Sequence, residues 1–366
     1  MCVQQRGWWD ARMKKHDQDA EEAVSATENE AYWQYRVRRM LPEDLPRVAD
    51  IWRAQQAMPP WLEDGLRDIL SRLISSQHLL GAVVERLRAP GEPWQLAAFG
   101  LGCFMGDELR MRYLARPFPF LALHVLEQAM NGRVEETLLS RQEVARRHAS
   151  PPPRLDYLVL CWLHDNYDFS GLDARHLLLN GIRIMDRYMT GFRLRSLLLE
   201  GWAKYRVAFE LAGFSRLRTD FDGAHLPPHH QALLKDPRYK APIHGYYTLQ
   251  DAMSQLQLSP LSHLFTFNEP VLQLTDSQKA VLDLAVDGYS DRAIAAILNI
   301  SRNAVHMRWR GIYEKAARFL PELAQAEEHC CAQGCRGMEK RRIVVQYIRD
   351  HPQEIRPWIQ MPGQQA

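Results

Sequence analysis

A chain of 366 residues has room for two or three domains, and 46% hydrophobic with 25% charged residues are globular proportions. Forty-six basic residues against forty-four acidic ones leave a net charge of +2, so a nucleic-acid role would have to rest on a local motif. Six cysteines are too few for a disulfide scaffold, no secretion signal opens the chain, and no apolar run reaches the ~20 residues of a membrane span. A reduced, cytoplasmic, multidomain protein without membrane contact is expected.

Residues 1–32 are polar and read as an arm. YRVRRM (35–40) predicts a strand, and LPEDLPRVADIWRAQ (41–55) a helix with Pro42 in its first turn. GLRDILSRLI (65–74) predicts a second helix. The runs 78–87 and 94–104, joined by a Gly-Glu-Pro turn, predict a hairpin. Residues 105–153 form a partly helical insertion that ends at Pro151, Pro152 and Pro153, where neither a helix nor a central strand can continue. Beyond it LDYLVLCWL reads as a buried strand, 172–189 as an amphipathic helix and LRSLLLEG as a strand. KYRVAFELAGF then predicts a helix and SRLRTDF a strand. One main mixed sheet in an α/β (α+β) domain over 33–222 is expected. Residues 223–270, rich in Pro and His, read as a linker with one helix near 249–256; 271–320 are all helical, and a helical tail follows over 321–366.

The stretch 274–315 can be assembled from physics alone. Thr275 can cap a helix ended by Asp287-Gly288, Ser290 a second one, and Ser301 a third, with Asn299 in the left-handed position between the last two. In the third helix Val305, Trp309, Ile312 and Ala316 recur at i, i+4, i+7 and i+11, one inward stripe. Asn303, His306, Met307 and Arg310 form the opposite face, flanked by Arg302 and Arg308. That pattern, with Lys315 and Arg318 following, describes a basic helix-turn-helix.

The same stretch closely resembles the LuxR-type helix-turn-helix. Leu274-Thr275, Gly288-Tyr289-Ser290, Ile294-Ala295, Leu298-Asn299-Ile300-Ser301 and Val305 fall in register with the family, with Gln278, Ala304 and His306 as departures. The resemblance implies an all-α DNA-binding domain scaffolded by Gly288, Ser290, Ile294, Leu298, Ile300 and Val305. Asn303, His306, Met307 and Arg310 would meet base edges, and Ser301, Arg302, Arg308 and Lys315 would hold phosphates. The implied partner is a pseudo-palindromic double-stranded promoter bound by a homodimer. The apolar face of Ile343, Val344, Tyr347 and Ile348 in the tail is expected to carry the dimer contact.

The element order of 35–221 resembles a GNAT acetyltransferase, with Glu43-Asp44-Leu45 at the start of its first helix and FELAGF (209–214) as local anchors. In that family a glycine-rich turn lets backbone N–H groups at a helix N-terminus hold the pyrophosphate of acetyl-CoA. Here that turn carries Asp165, Asp168 and Asp173, which would repel a diphosphate, and only Gly171. The family's acidic Tyr falls on Phe209 and its Asn on Trp202. The expectation is therefore a GNAT-like sensor or assembly domain with no catalytic residues, no cofactor and no metal, a small-molecule effector being the further partner. Trp94, Phe99, Cys161, Trp162 and Trp202 are its pocket candidates. The alternative is a GNAT-type acyltransferase using acetyl-CoA with an attached DNA-binding domain.

Three weaker groups complete the reading. Cys330, Cys331 and Cys335 follow His329 without zinc-finger spacing and read as reduced thiols, a redox role being the alternative. His225, His229 and His230 read as a solvated loop with no carboxylate nearby. Gly100-x-Gly102-x-x-x-Gly106 misses the dinucleotide spacing and falls inside a strand.

Overall fold

In a computed structural model the described residues are 33–56, 58–168, 171–214, 216–237, 239–254, 259–321 and 336–357. Seven strands form one mixed sheet: β1 (Gln34–Arg39), β2 (Leu80–Leu87), β3 (Gln95–Phe104), β4 (Leu155–His164), β5 (Leu194–Trp202), β6 (Arg216–Arg218) and β7 (Pro242–Thr248). Their order across the sheet is β1-β2-β3-β4-β5-β7-β6, and only β4 and β5 run parallel. This mixed sheet with helices on both faces fits the GNAT-like α/β expectation.

The helices are α1 (Leu45–Gln55), α2 (Pro60–Glu63), α3 (Leu66–Ser75), α4 (Asp107–Ala115), α5 (Leu121–Met130), α6 (Val134–Thr137), α7 (Arg141–Ala149), α8 (Leu172–Met189), α9 (Arg206–Leu211), α10 (Pro228–Lys235), α11 (Leu249–Ser254), α12 (Asp276–Val286), α13 (Asp291–Ile297), α14 (Arg302–Ala316) and α15 (Arg336–Asp350). One sheet face packs on α1, α3 and the insertion helices α4 and α5, burying Trp52, Leu70, Phe99, Leu101, Leu126 and Leu158 together. On the other face α8 buries Leu177, Ile184 and Tyr188 against Ala82, Val84 and Ala98. Gly102 has a packing reason for being glycine: a Cβ there would lie 2.2 Å from the Tyr157 hydroxyl on the neighbouring strand.

One boundary is corrected. Residues 223–270 are not a linker, because they contain α10 and β7, and β7 lies between β5 and β6 in the sheet. Leu261, Leu264 and Phe265 join the core beneath it. The segment PIHGYYT shows no clean alternation because β7 is covered on both faces.

The C-terminal helices share a separate core. Val281, Leu284, Ile294, Leu298, Val305, Trp309, Ile312 and Ala316 are buried together with Val344 and Ile348 of α15. The apolar face of α15 is therefore covered by its own chain, which removes the reason for assigning it a dimer contact. Arg341 of α15 bonds Asp291 and the Tyr289 carbonyl and lies over the Trp309 ring. The Cys330, Cys331 and Cys335 cluster lies outside the described residues.

A buried set of charges joins this core to the sheet domain. Arg39 at the end of β1 pairs with Asp283, and Arg187 of α8 with Asp287, which also accepts from the Tyr188 hydroxyl at 2.9 Å. Arg356, only 5% exposed, lies 4.0 Å from Asp283 and donates to the carbonyls of Arg187 and Thr190. Burial pushes the Asp287 carboxyl up despite its arginine neighbours. At Asp283 burial acts the same way, but Arg39 and Arg356 outweigh it and hold the carboxyl low. Gly191, at φ +82, passes so close to the chain at Gln353 that a Cβ would lie 2.6 Å from its backbone nitrogen.

Candidate functional site

The parallel pair β4–β5 separates partway along. Pairing runs from Leu155↔Leu194 to Val159↔Leu199 and stops, although β4 continues to His164 and β5 to Trp202. A bulge contributes to the parting, because Leu160 is the extra residue on β4 between Leu101↔Cys161 and Gly102↔Val159. Beyond Leu199, β5 is held by β7 alone, through Glu200↔His244, Gly201↔Ile243 and Trp202↔Pro242. A crevice past the carboxyl ends of parallel strands is where open α/β sheets place their ligands.

Glu200, the first residue past the parting, bonds the Nε2 of His244 on β7 at 2.7 Å. The other ring nitrogen, Nδ1, meets the Tyr113 hydroxyl of α4 at 3.0 Å. With Nε2–H donating to the carboxylate, Nδ1 is left to accept from the phenol. The Glu200 carboxylate also accepts the Leu121 N–H at 3.0 Å, at the N-terminus of α5, where the helix dipole favours a negative charge. Phe120 turns the chain there with φ +60, a left-handed conformation costly for a bulky side chain. Tyr113 and His244 are buried, and burial, reinforced by the Glu200 charge, raises the Tyr113 hydroxyl so that it keeps its proton. Carboxylate, imidazole and phenol thus form a hydrogen-bonded chain at the strand parting. No pattern in the sequence pointed to it, since its members are 44 and 131 residues apart along the chain.

The opposite rim is aromatic and basic. Tyr167 stacks on His164 with ring centres 3.6 Å apart and lies 5.3 Å from Trp202, which is 5.7 Å from Tyr205. Lys240 sits 3.5 Å above the Trp202 ring and Lys204 4.7 Å above Tyr205. Burial, then the neighbouring Lys204 charge, pulls the Lys240 ammonium below its ordinary value. Of the five pocket candidates, Trp202 alone belongs to this rim. Phe99 is core against Trp52, Trp162 packs on Gly181 of α8, Cys161 is buried, and Trp94 lies under Arg36.

The expected repulsion at the turn before α8 is also corrected. Asp165 is paired with Arg47 at 3.0 Å and Arg86 at 3.1 Å, and Asp173 with Arg86 at 2.5 Å and the Tyr35 hydroxyl at 2.7 Å. Burial pushes Asp173 up, but its bonds to Asn166, Tyr35 and Arg86 prevail and keep it ionised. Two of the three carboxylates are thus compensated from β1, β2 and α1. Phe209 is buried against Gly201 and Gly245, as core.

In the C-terminal core the capping residues take the expected places. Thr275 accepts from Gln278 N while the Gln278 side chain accepts from Thr275 N. Ser290 accepts from Ala293 N at 3.3 Å and Ser301 from Ala304 N at 3.1 Å. Gly288 at φ +87 and Asn299 at φ +50 are left-handed. Ile294, Leu298 and Val305 are fully buried and Ile300 half-buried. Ser301, Arg302, Asn303, His306, Met307 and Arg310 are exposed together on α14, with Arg310 paired to Glu314 at 3.1 Å. Arg308 is half-buried, and Lys315 is turned back to the Gln273 carbonyl.

The three histidines read as a solvated loop with no carboxylate nearby are corrected: His225 lies 3.1 Å from Asp222, while His229 and His230 lie on α10, with Glu127 2.7 Å from one and 3.3 Å from the other. No helix among the described residues is long and apolar enough to cross a membrane.

No protein-family model matches the chain, and no curated protein matches it. Among solved structures it is similar to mutant forms of the spermidine/spermine N-acetyltransferase SpeG from Vibrio cholerae at 12% identity, covering 61% of this chain and 99% of that one, with a TM-score of 0.34. FeeM, an N-acyl amino acid synthase from uncultured soil microbes, is similar at 12% identity over 64% of this chain and 98% of its own, TM-score 0.33. A putative acetyltransferase of the GNAT family from Desulfovibrio desulfuricans matches at 13% identity over 59% and 99%, TM-score 0.31. None of these comparisons contains a LuxR-type domain by name. The expectation of a non-enzyme is withdrawn: the similar chains are named as acyl-transfer enzymes.

Proposed function

We propose that the chain is a GNAT-type acyltransferase that takes its acyl group from acetyl-CoA or a longer acyl-CoA, with an attached DNA-binding domain. The observation that carries this reading is that the acid–base relay begins at Glu200, the residue at which the parallel pair β4–β5 parts. A thioester laid in the crevice would bring its carbonyl carbon beside the relay. An acceptor amine attacks that carbon; its proton passes to the Glu200 carboxylate as the C–N bond forms, the C–S bond breaks, and Tyr113, held in place by His244, gives its proton to the departing thiolate. Lys204 and Lys240 would attract the phosphates of the donor, and the compensated Asp165 and Asp173 no longer oppose them.

The test is thiol release from acyl-CoA with an amine panel, alongside calorimetry with the thioester alone. Glu200→Gln and His244→Asn should each lower kcat about 10²–10⁴-fold, with a smaller change in donor affinity. Absence of both acyl-CoA binding and thiol release in the full chain overturns the reading.

A second reading concerns α14, whose exposed polar face lies clear of α15 and of the buried charge join. We infer that Asn303, His306, Met307 and Arg310 would meet major-groove base edges, with Ser301, Arg302, Arg308 and Lys315 toward phosphates, in a helix-turn-helix of the LuxR type. Lys315 would have to release Gln273 to do so. Salt-dependent binding of promoter fragments by the full chain tests it, and its absence at low salt would refute it.

A further inference from the structure

Away from the relay, Glu127 of α5 meets His229 and His230 of α10. Its carboxylate faces both imidazoles: Oε1 is hydrogen-bonded to His229 Nε2 at 2.7 Å, and Oε2 lies 3.3 Å from His230 Nε2 without hydrogen-bond geometry. We propose that these three side chains bind a divalent transition-metal ion of the zinc class, a site independent of whether the chain transfers acyl groups.

Two observations carry this. The three ligand atoms lie within 4.8 Å of one another, and a tetrahedral ion about 2.0–2.2 Å from each donor needs donors roughly 3.3–3.6 Å apart. The gathering is not a by-product of neighbouring positions: adjacent helix residues diverge by roughly 100°, yet both rings turn to one carboxylate. Independently, His230 is 0% exposed and neither of its ring nitrogens has a hydrogen-bond partner. Buried polar atoms are ordinarily bonded, and an orphan aimed at a carboxylate already occupied by a second imidazole asks for a cation between them. The His229–Glu127 hydrogen bond alone leaves His230 unexplained.

The surroundings suit the ion. Trp61 of α2 stacks on His230 at 6.4 Å and meets His229 edge-on at 6.3 Å, fixing both rings from the apolar side. The His229 side chain is 44% exposed, which leaves a fourth position open to water, the pattern of three protein ligands plus solvent. His124, nearest on α5, is 6.4 Å from His230 ring to ring and has its Nε2 on Arg112, so it stands outside the ligand set. An ion here would tie the insertion to the segment that carries β7.

The experiment uses the full chain, stripped with chelator, with Cys330, Cys331 and Cys335 replaced by serine so that thiolates cannot compete. Calorimetry with Zn²⁺ alone should report one equivalent. Co²⁺ should give visible bands without thiolate-to-metal charge transfer. Glu127→Gln and His229→Asn should each weaken binding by more than the about 10–100-fold that losing an outer-shell partner costs, and His225→Asn should leave it unchanged. His229 is exposed enough that its replacement does not threaten folding. No binding by the parent chain, or binding by both ligand variants as tight as the parent's, overturns the proposal.

Discussion

Removing one carboxylate from the buried join should destabilise the protein far more than any surface ion pair would. In Asp283→Ala the guanidiniums of Arg39 and Arg356 lose their shared partner, while Arg356 stays 5% exposed. At 4.0 Å and an effective dielectric near 20, one such contact amounts to about 4 kcal/mol of Coulomb energy. Relief of the aspartate's own desolvation offsets part of two such contacts, so a net loss of about 3–5 kcal/mol is expected. Against a total of about 5–15 kcal/mol that is a large share. Urea titration followed by tryptophan fluorescence reads it directly. With the join weakened, the sheet domain and the helical core should unfold in separate steps, giving two transitions in place of one. The double variant Arg39→Met with Asp283→Leu should recover the share of the loss that comes from Arg39, while Arg356 still lacks its carboxylate. A loss below about 1 kcal/mol for Asp283→Ala would mean that water reaches these groups and screens the pairs as it does surface ones.

Burial pulls the histidines His124, His148 and His164 down to about 3, 4 and 4. The unfolded chain then binds more protons than the native one below about pH 6.5, so stability should fall as the pH drops from 7 to 5, by about 1–2 kcal/mol for each buried ring. A flat urea midpoint across that range would show the rings to be solvated. Ile348→Ala, at a position 1% exposed, should cost about 2–5 kcal/mol while light scattering reports an unchanged mass; a drop in mass would restore the tail as an assembly surface. Arg310→Ala should weaken DNA binding by about 1–3 kcal/mol in a sequence-dependent way, while Arg302→Ala weakens all sequences alike and flattens the salt slope. Identical behaviour of the two variants would refute the division between base and phosphate contacts.

What was legible in the sequence was local. The inward stripe of Val305, Trp309, Ile312 and Ala316, the Ser and Thr caps and the left-handed Gly288 and Asn299 depend on neighbours within a few positions, and all are seen. The strand 242–248 was missed because Pro242 and Gly245 read as loop residues; only the register with β5 and β6 gives them a ladder. Glu200, His244 and Tyr113 carry no mutual signal in the chain, and neither do Glu127 and His230, because folding alone makes them neighbours. The face of Val344 and Ile348 reads as apolar from its spacing, but an amphipathic pattern does not say which surface covers it.

The placement of β7 has a consequence for how the chain is made. Among the described residues β6 pairs with β7 alone, which is synthesised after it and slides between it and β5. A nascent chain that has emerged only to residue 222 therefore carries β6 with nothing to pair with, and β5 with one edge bare. Such an edge is a template for another chain's strand. The sheet can close only once residue 248 has cleared the ribosome, so a fragment cut at 222 is expected to aggregate, whereas the first ~30 residues beyond that cut decide whether the domain folds at all.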